Sequence, residues 1–142
     1  MAYSFVRYTT PMNGQGIAQR RFIDPARAVS HFHLRLGDVV ADFGAGAGYF
    51  VPALVQAVAP EGRVYACEVR KPLVERLTRL ADERGLAGLV PIWCDIESPH
   101  GVPLADGVLD AGVLVNTLHS LESPALALQE ISRLIRSGGK LF

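Results

Sequence analysis

The chain has 142 residues, about one domain's worth and enough to bury a sizeable core. Hydrophobic residues make up 49% and charged residues 20%, a soluble globular balance that excludes a disordered or fibrous chain. Lys plus Arg (14) equals Asp plus Glu (14), so a zero formal net charge gives no global electrostatic case for nucleic acid or a membrane surface.

Residues 1–23 read as an irregular N-terminal segment, with turns at Thr9-Thr10-Pro11 and Asn13-Gly14-Gln15-Gly16. Phe5, Tyr8 and Met12 fit a lid over a bound ligand or equally a mobile tail. Arg20, Arg21, Arg27 and Arg35 form either a local basic patch or a scattered, solvated set. Asp24-Pro25 predicts a helix N-cap followed by proline in the first turn, and a short helix to about Leu34 that carries His31 and His33. A first strand follows over 38–43 and a helix over 48–59, its buried face formed by Phe50, Leu54 and Val58. A second strand spans 64–68. Pro72 opens a helix with Leu73, Leu77 and Leu80 on one side, and Gly85 stops it. A third strand over 89–94 ends at Asp95, and a loop rich in proline and glycine leads to a fourth strand over 108–115. Ser123 caps a helix running to about Arg136, with Leu128, Ile131 and Ile135 on its buried face and Arg133 and Arg136 facing its C-terminal dipole. Ser137-Gly138-Gly139 then turns into a fifth strand that opens at Lys140. Regular alternation of strand and helix predicts an α/β fold: a doubly wound, mostly parallel sheet over 24–142.

Ligands on such sheets bind beyond the carboxyl ends of the strands, and the chemistry-bearing residues of this chain cluster there. The first strand ends at Asp42-Phe43, followed by Gly44-Ala45-Gly46-Ala47-Gly48. Glycines at alternate positions supply positive φ and let a ligand approach the main chain, and the next helix offers free N–H groups. The spacing is not Gly-x-Gly-x-x-Gly, and Asp42 would repel a pyrophosphate. A ligand with positive charge fits better, its ammonium group held by Asp42 directly or through water. Glu68 ends the second strand about twenty residues on, where a carboxylate accepts both hydroxyls of a ribose or, alternatively, serves the N-terminus of the next helix. Asp95 would accept an exocyclic purine amine, with Ile96 against the ring, or simply cap its loop. The main chain of Asn116 would face the glycine turn. His119 is a candidate base or a plain loop histidine. Cys67 and Cys94 have no metal-like spacing and read as small hydrophobes or as reactive thiols. No convergent ligand set indicates a metal. The N-terminus lacks a signal-peptide pattern and no apolar run reaches ~18 residues. The expected setting is therefore cytoplasmic, with free thiols and no membrane partner.

Taken together, Asp42-Phe43-Gly44-Ala45-Gly46-Ala47-Gly48 resembles the first motif of the Rossmann-like, class I S-adenosylmethionine-dependent methyltransferases. Glu68 and the Asp95-Ile96 pair match that family's next two positions. The stretches from Leu104 to Asp110 and from Glu130 to Leu141 resemble its later landmarks. The resemblance covers about 35–142 and is closest to the group of quinone-biosynthesis C-methyltransferases and arsenite methyltransferases. It implies S-adenosylmethionine as cofactor, with Gly44 to Gly48 around the methionine moiety, Glu68 at the ribose, and Asp95 and Ile96 at the adenine.

The family sheet has seven strands, so a chain that stops as the fifth begins is expected to be truncated. An open sheet edge invites a homodimer or a separate partner chain. The leading expectation is methyl transfer to a small-molecule acceptor. RNA or protein methylation is the alternative, since the segment from Pro60 to Glu68 also resembles tRNA-adenosine and protein-isoaspartate methyltransferases. Val115-Asn116-Thr117-Leu118 lacks the Asn/Asp-Pro-Pro-aromatic signature that grips a flipped base, and nucleic acid is not favoured. A non-catalytic cofactor-binding subunit is the third reading.

Overall fold

The computed structural model describes residues 23–142. The expected turns at 9–11 and 13–16, the lid residues Phe5, Tyr8 and Met12, and Arg20 and Arg21 lie outside the described residues. Among the described residues five strands, β1 (Val39–Phe43), β2 (Arg63–Glu68), β3 (Leu89–Trp93), β4 (Leu109–Val113) and β5 (Ile135–Leu141), form one sheet in the order β3-β2-β1-β4-β5. Every pairing is parallel. Helices α1 (Pro25–Ser30), α2 (Val51–Val58), α3 (Lys71–Arg84) and α4 (Pro124–Leu134) cover its faces. This is the doubly wound, Rossmann-like arrangement expected from the alternation.

Strand side chains alternate between faces, and here both faces are apolar, as a parallel sheet buried on two sides requires. Val40, Val64 and Ala66 join Leu54, Val58 and Leu77 of α2 and α3 in one core layer. Ala41, Phe43 and Cys67 join Ile131 and Leu134 of α4 in the other. Cys67 and Cys94 are both buried and free. The Cys94 thiol against it, and then burial, raise the Cys67 pKa well above the usual thiol value. That is the state of an inert packing thiol.

Local signals place most helix ends. The Asp24 Oδ1 accepts the Ala26 and Arg27 N–H groups at 3.0 and 3.4 Å, and Gly85 ends α3 at φ +60°. Helix α1 is shorter than its pattern suggested and stops at Ser30, so His31 caps it and His33, at φ +52°, lies beyond it. Ser123 does not cap α4 with its side chain; instead its own N–H donates to Oε1 of Glu97.

The largest departure concerns the end of the chain. Helix α4 stops at Leu134, and Ile135 is already extended and paired opposite Leu109. The buried face of α4 is Ala127, Glu130, Ile131 and Leu134, while Leu128 is 36% exposed. The expected turn at 137–139 is an irregularity within β5: the register shifts between Leu109 and Ala111, and pairing resumes at Lys140 and Leu141. Gly138, at φ +78°, supplies the backbone conformation that the irregularity needs. Strand β5 is thus seven residues long rather than barely begun, and its pairing continues through Phe142, which bonds to Gly112 and Leu114.

Candidate functional site

Parallel pairing in register brings the carboxyl ends of β1 to β4 to one rim. Phe43 lies opposite Cys67, and Glu68 opposite Trp93. The ladder runs on into the glycine turn, because Gly44 and Ala45 both donate to the Cys67 carbonyl, at 2.9 and 3.0 Å. Around this rim lies a cavity of about 480 Å³, a size suited to a small ligand. Asp42, Gly44, Ala45, Gly46, Glu68, Asp95, Ile96 and Asn116, proposed from the sequence, all line it.

Two glycines of the turn are required for packing and one for access. A Cβ on Gly44 would meet Thr117 Oγ1 at 2.5 Å, and one on Gly48 would meet Leu77 and Leu80 at 2.8 Å. Gly48 is absent from the cavity wall; its part is to let the turn close against α3. A Cβ on Gly46 would meet nothing closer than 3.9 Å, so this glycine keeps main chain open to the cavity.

Glu68 is 3% exposed. Its Oε2 accepts the Gly46 N–H at 3.0 Å, and its Oε1 accepts the Arg70 N–H at 3.0 Å and Nε at 2.9 Å. It therefore fastens the glycine turn to the start of α3, which is the helix N-terminal reading of this residue. Burial tends to raise its pKa, but the hydrogen bonds and charge of Arg70 and the Gly46 N–H outweigh that, and the carboxyl titrates below its ordinary range. Asp95 caps its loop, accepting the Glu97 N–H at 2.9 Å and the Ser98 hydroxyl at 2.8 Å. Each oxygen keeps acceptor capacity. Ile96 is buried beside it at 8% exposure. Asn116 adopts φ +55°, in the left-handed region open to asparagine.

Asp42 is 5% exposed, and its carboxyl has no hydrogen-bond or ion-pair partner among the described residues. Burial, and then the Glu68 charge, push its pKa up to about 7. An unfolded aspartate titrates near 3.8, so the folded chain holds this proton more tightly. The contribution of Asp42 to stability is therefore fully present below about pH 4 and is lost as pH rises toward about 7. Urea unfolding of the wild type and Asp42→Asn between pH 5 and 8 should show the wild type losing stability relative to the variant as pH rises. A constant difference would show that Asp42 titrates normally.

His119 sits in the short helical turn Leu118–Ser120, exposed and outside the cavity wall. No histidine or lysine lines the cavity among the described residues. Sequence reasoning missed two contributors. Thr117 Oγ1 bonds to the Phe43 and Val115 carbonyls at 3.3 and 3.1 Å, tying the loop after β4 to the end of β1. Arg70 reaches back onto Glu68, and its position two residues beyond the acid was the only signal.

A Rossmann-like sheet whose strand ends gather a glycine turn and carboxylates, with an acid where a pyrophosphate would lie, defines a binder of a cationic nucleoside. The chain belongs to the class I S-adenosylmethionine-dependent methyltransferases: the model of the methyltransferase domain matches residues 41–142. It is 32% identical over 107 residues to an uncharacterized 37.1 kDa protein in transposon Tn4556 of Streptomyces fradiae, covering 75% of this chain and 30% of that protein. It is 27% identical over 120 residues to the ubiquinone/menaquinone biosynthesis C-methyltransferase UbiE of Burkholderia multivorans, covering 82% and 46%. The solved structure of a SAM-dependent methyltransferase from Aquifex aeolicus superposes with a TM-score of 0.74 at 29% identity, covering 80% of this chain and 58% of that one. This chain thus spans less than two thirds of each of these proteins.

The residues fit the family's cofactor. Buried Asp42 suits an ammonium group, Gly46 leaves room against the main chain, and Glu68 is held with its acceptors at the cavity. No helix among the described residues is long and apolar enough to cross a membrane.

Proposed function

We propose that this domain holds S-adenosylmethionine in the cavity and supports methyl transfer to a small-molecule acceptor. The observation that carries this reading is the buried Glu68 carboxylate fastened to the Gly46 N–H, with Asp42, Asp95 and Ile96 around the same cavity. Glu68 would accept the ribose hydroxyls, Asp42 the ammonium of the methionine moiety, and Asp95 the adenine amine, with Ile96 against the ring. Bound there, the cofactor supplies an electrophilic methyl group on a sulfonium. The protein's part is orientation: main chain at Gly44 to Gly46 and Asn116 would fix the ligand, and Phe50, Val115 and Leu121 add apolar surface to the cavity wall. In-line positioning of acceptor, methyl and sulfur supplies most of the rate in such a transfer. The similarity to a quinone-biosynthesis C-methyltransferase supports a small molecule over RNA or protein. Strand β5, with β4 as its one sheet neighbour among the described residues, offers an edge to a partner strand from a second copy or another chain.

Calorimetry tests the reading. S-adenosylhomocysteine should bind in preference to NAD. Glu68→Ala should lose about 1.5–3 kcal/mol of binding, the range for hydrogen bonds to a charged group, or roughly ten- to a hundredfold in Kd. A preference for NAD would sink the cofactor assignment, and an unchanged Kd in the variant would place the ribose elsewhere.

A further inference from the structure

A carboxylate offers about four acceptor positions, two on each oxygen, and four donors approach Glu68. Gly46 N–H and Arg70 Nη2 reach Oε2 at 3.0 and 3.3 Å. Arg70 N–H and Nε reach Oε1 at 3.0 and 2.9 Å. The four differ in kind. Gly46 N–H and Arg70 N–H belong to the glycine turn and to the start of α3, so they cannot leave without unmaking the rim. The other two belong to one guanidinium on a side chain that is 67% exposed and that also lines the cavity. No other partner of that guanidinium is found among the described residues. The two main-chain donors also sit on different oxygens, so they keep the carboxylate oriented by themselves.

A ribose diol brings two O–H donors and needs two acceptor positions. Only the two held by the guanidinium can be vacated. We propose that Arg70 is a displaceable latch on the ribose subsite: its side chain competes with the cofactor's diol for Glu68 and so sets the affinity and the speed of cofactor exchange. This rests on the ribose reading of Glu68. An ion pair with one partner so exposed is readily broken, so the latch tunes binding without blocking it. It also makes binding sensitive to ionic strength, because salt weakens the pair that the ribose must displace. The residue acts through Glu68 and is a specificity and positioning residue, with no part in the chemical step.

The test is calorimetry and stopped-flow binding of S-adenosylhomocysteine and its 2′,3′-dideoxy analogue to the wild type, Arg70→Ala, Arg70→Lys and Glu68→Ala. Arg70→Ala should bind S-adenosylhomocysteine about three- to tenfold more tightly, with a faster on-rate, because two acceptor positions stand free. Arg70→Lys should fall between it and the wild type, since lysine lacks the bidentate fork. The dideoxy analogue should show no gain in either variant. Unchanged or weakened binding in Arg70→Ala, with Glu68→Ala still impaired, would overturn the latch and leave the ribose reading intact. Unimpaired binding in Glu68→Ala would overturn both. Thermal melting of Arg70→Ala and Arg70→Lys checks that each is folded when it is measured.

Discussion

Glu130→Ala should destabilise the fold by about 3–5 kcal/mol, the range for removing one partner of a buried ion pair. Glu130 is 4% exposed on α4 and serves four donors. Its Oε1 accepts the Val102 N–H at 3.1 Å and Arg133 Nη2 at 2.7 Å. Its Oε2 accepts the His100 N–H at 3.1 Å and Arg133 Nε at 3.0 Å. Arg133 in turn donates to the Leu104 carbonyl at 3.0 Å, the Val102 carbonyl at 3.1 Å and Asp106 at 2.6 Å. One helix turn thus holds the irregular loop after Asp95, together with the Gly107 N–H bond to the Arg133 carbonyl. Removing the carboxylate takes the acceptor from the buried Val102 N–H and from the His100 N–H, and leaves Arg133 with Asp106 and two carbonyls as its remaining partners. The hydrogen bond from Arg133, against burial, keeps the Glu130 pKa below its usual range. This part of the stability is therefore present above the ordinary carboxylate pKa and is lost as pH falls through the lowered one. Urea unfolding at neutral pH checks the magnitude. Glu130→Gln keeps one acceptor and should cost less. A loss below about 1 kcal/mol for the alanine variant, the worth of one ordinary hydrogen bond, would show that the loop is held by its apolar contacts alone. Asp95 and Ile96 begin this loop, so the same variant should also weaken cofactor binding.

Gly46→Val should reduce cofactor binding by more than about a hundredfold, ~2.7 kcal/mol or more, while the protein still folds. Gly46 has φ +56°, which a β-branched residue adopts only with strain. That strain costs about 1–3 kcal/mol. The protein around it offers no clash, since the nearest atom to an added Cβ is the Gly44 carbonyl oxygen at 3.9 Å. The valine side chain would stand in the cavity where the ligand must approach the main chain. Gly44→Val is the informative contrast. Its Cβ would collide with Thr117 at 2.5 Å, so that variant should lose the fold before its affinity can be measured. Calorimetry with S-adenosylhomocysteine and urea unfolding separate the two effects. Binding within threefold of wild type in Gly46→Val would remove the turn from the ligand site.

The sequence by itself determined the order of strands and helices, the glycine turn and the acids at the strand ends. Those signals are local: an apolar run, a glycine where φ must be positive, a proline in a first turn, an acid ending a strand. Four of the expected site residues, Asp42, Glu68, Asp95 and Asn116, stand at or within three residues beyond the ends of β1 to β4, because parallel pairing in register carries those strand ends to the same rim. What only the tertiary structure decided depends on partners distant in the chain. The end of α4 and the start of β5 were set by the pairing of Ile135 with Leu109, not by helical periodicity, which runs on through both. Ser123 looked like a cap, yet its neighbour in space, Glu97, takes the N–H instead. Glu130 and Arg133 look like a surface pair at helical spacing until the loop after Asp95 folds over them. For Glu130, several partners were within reach of its type, and burial, by excluding water from the competition, selected among them.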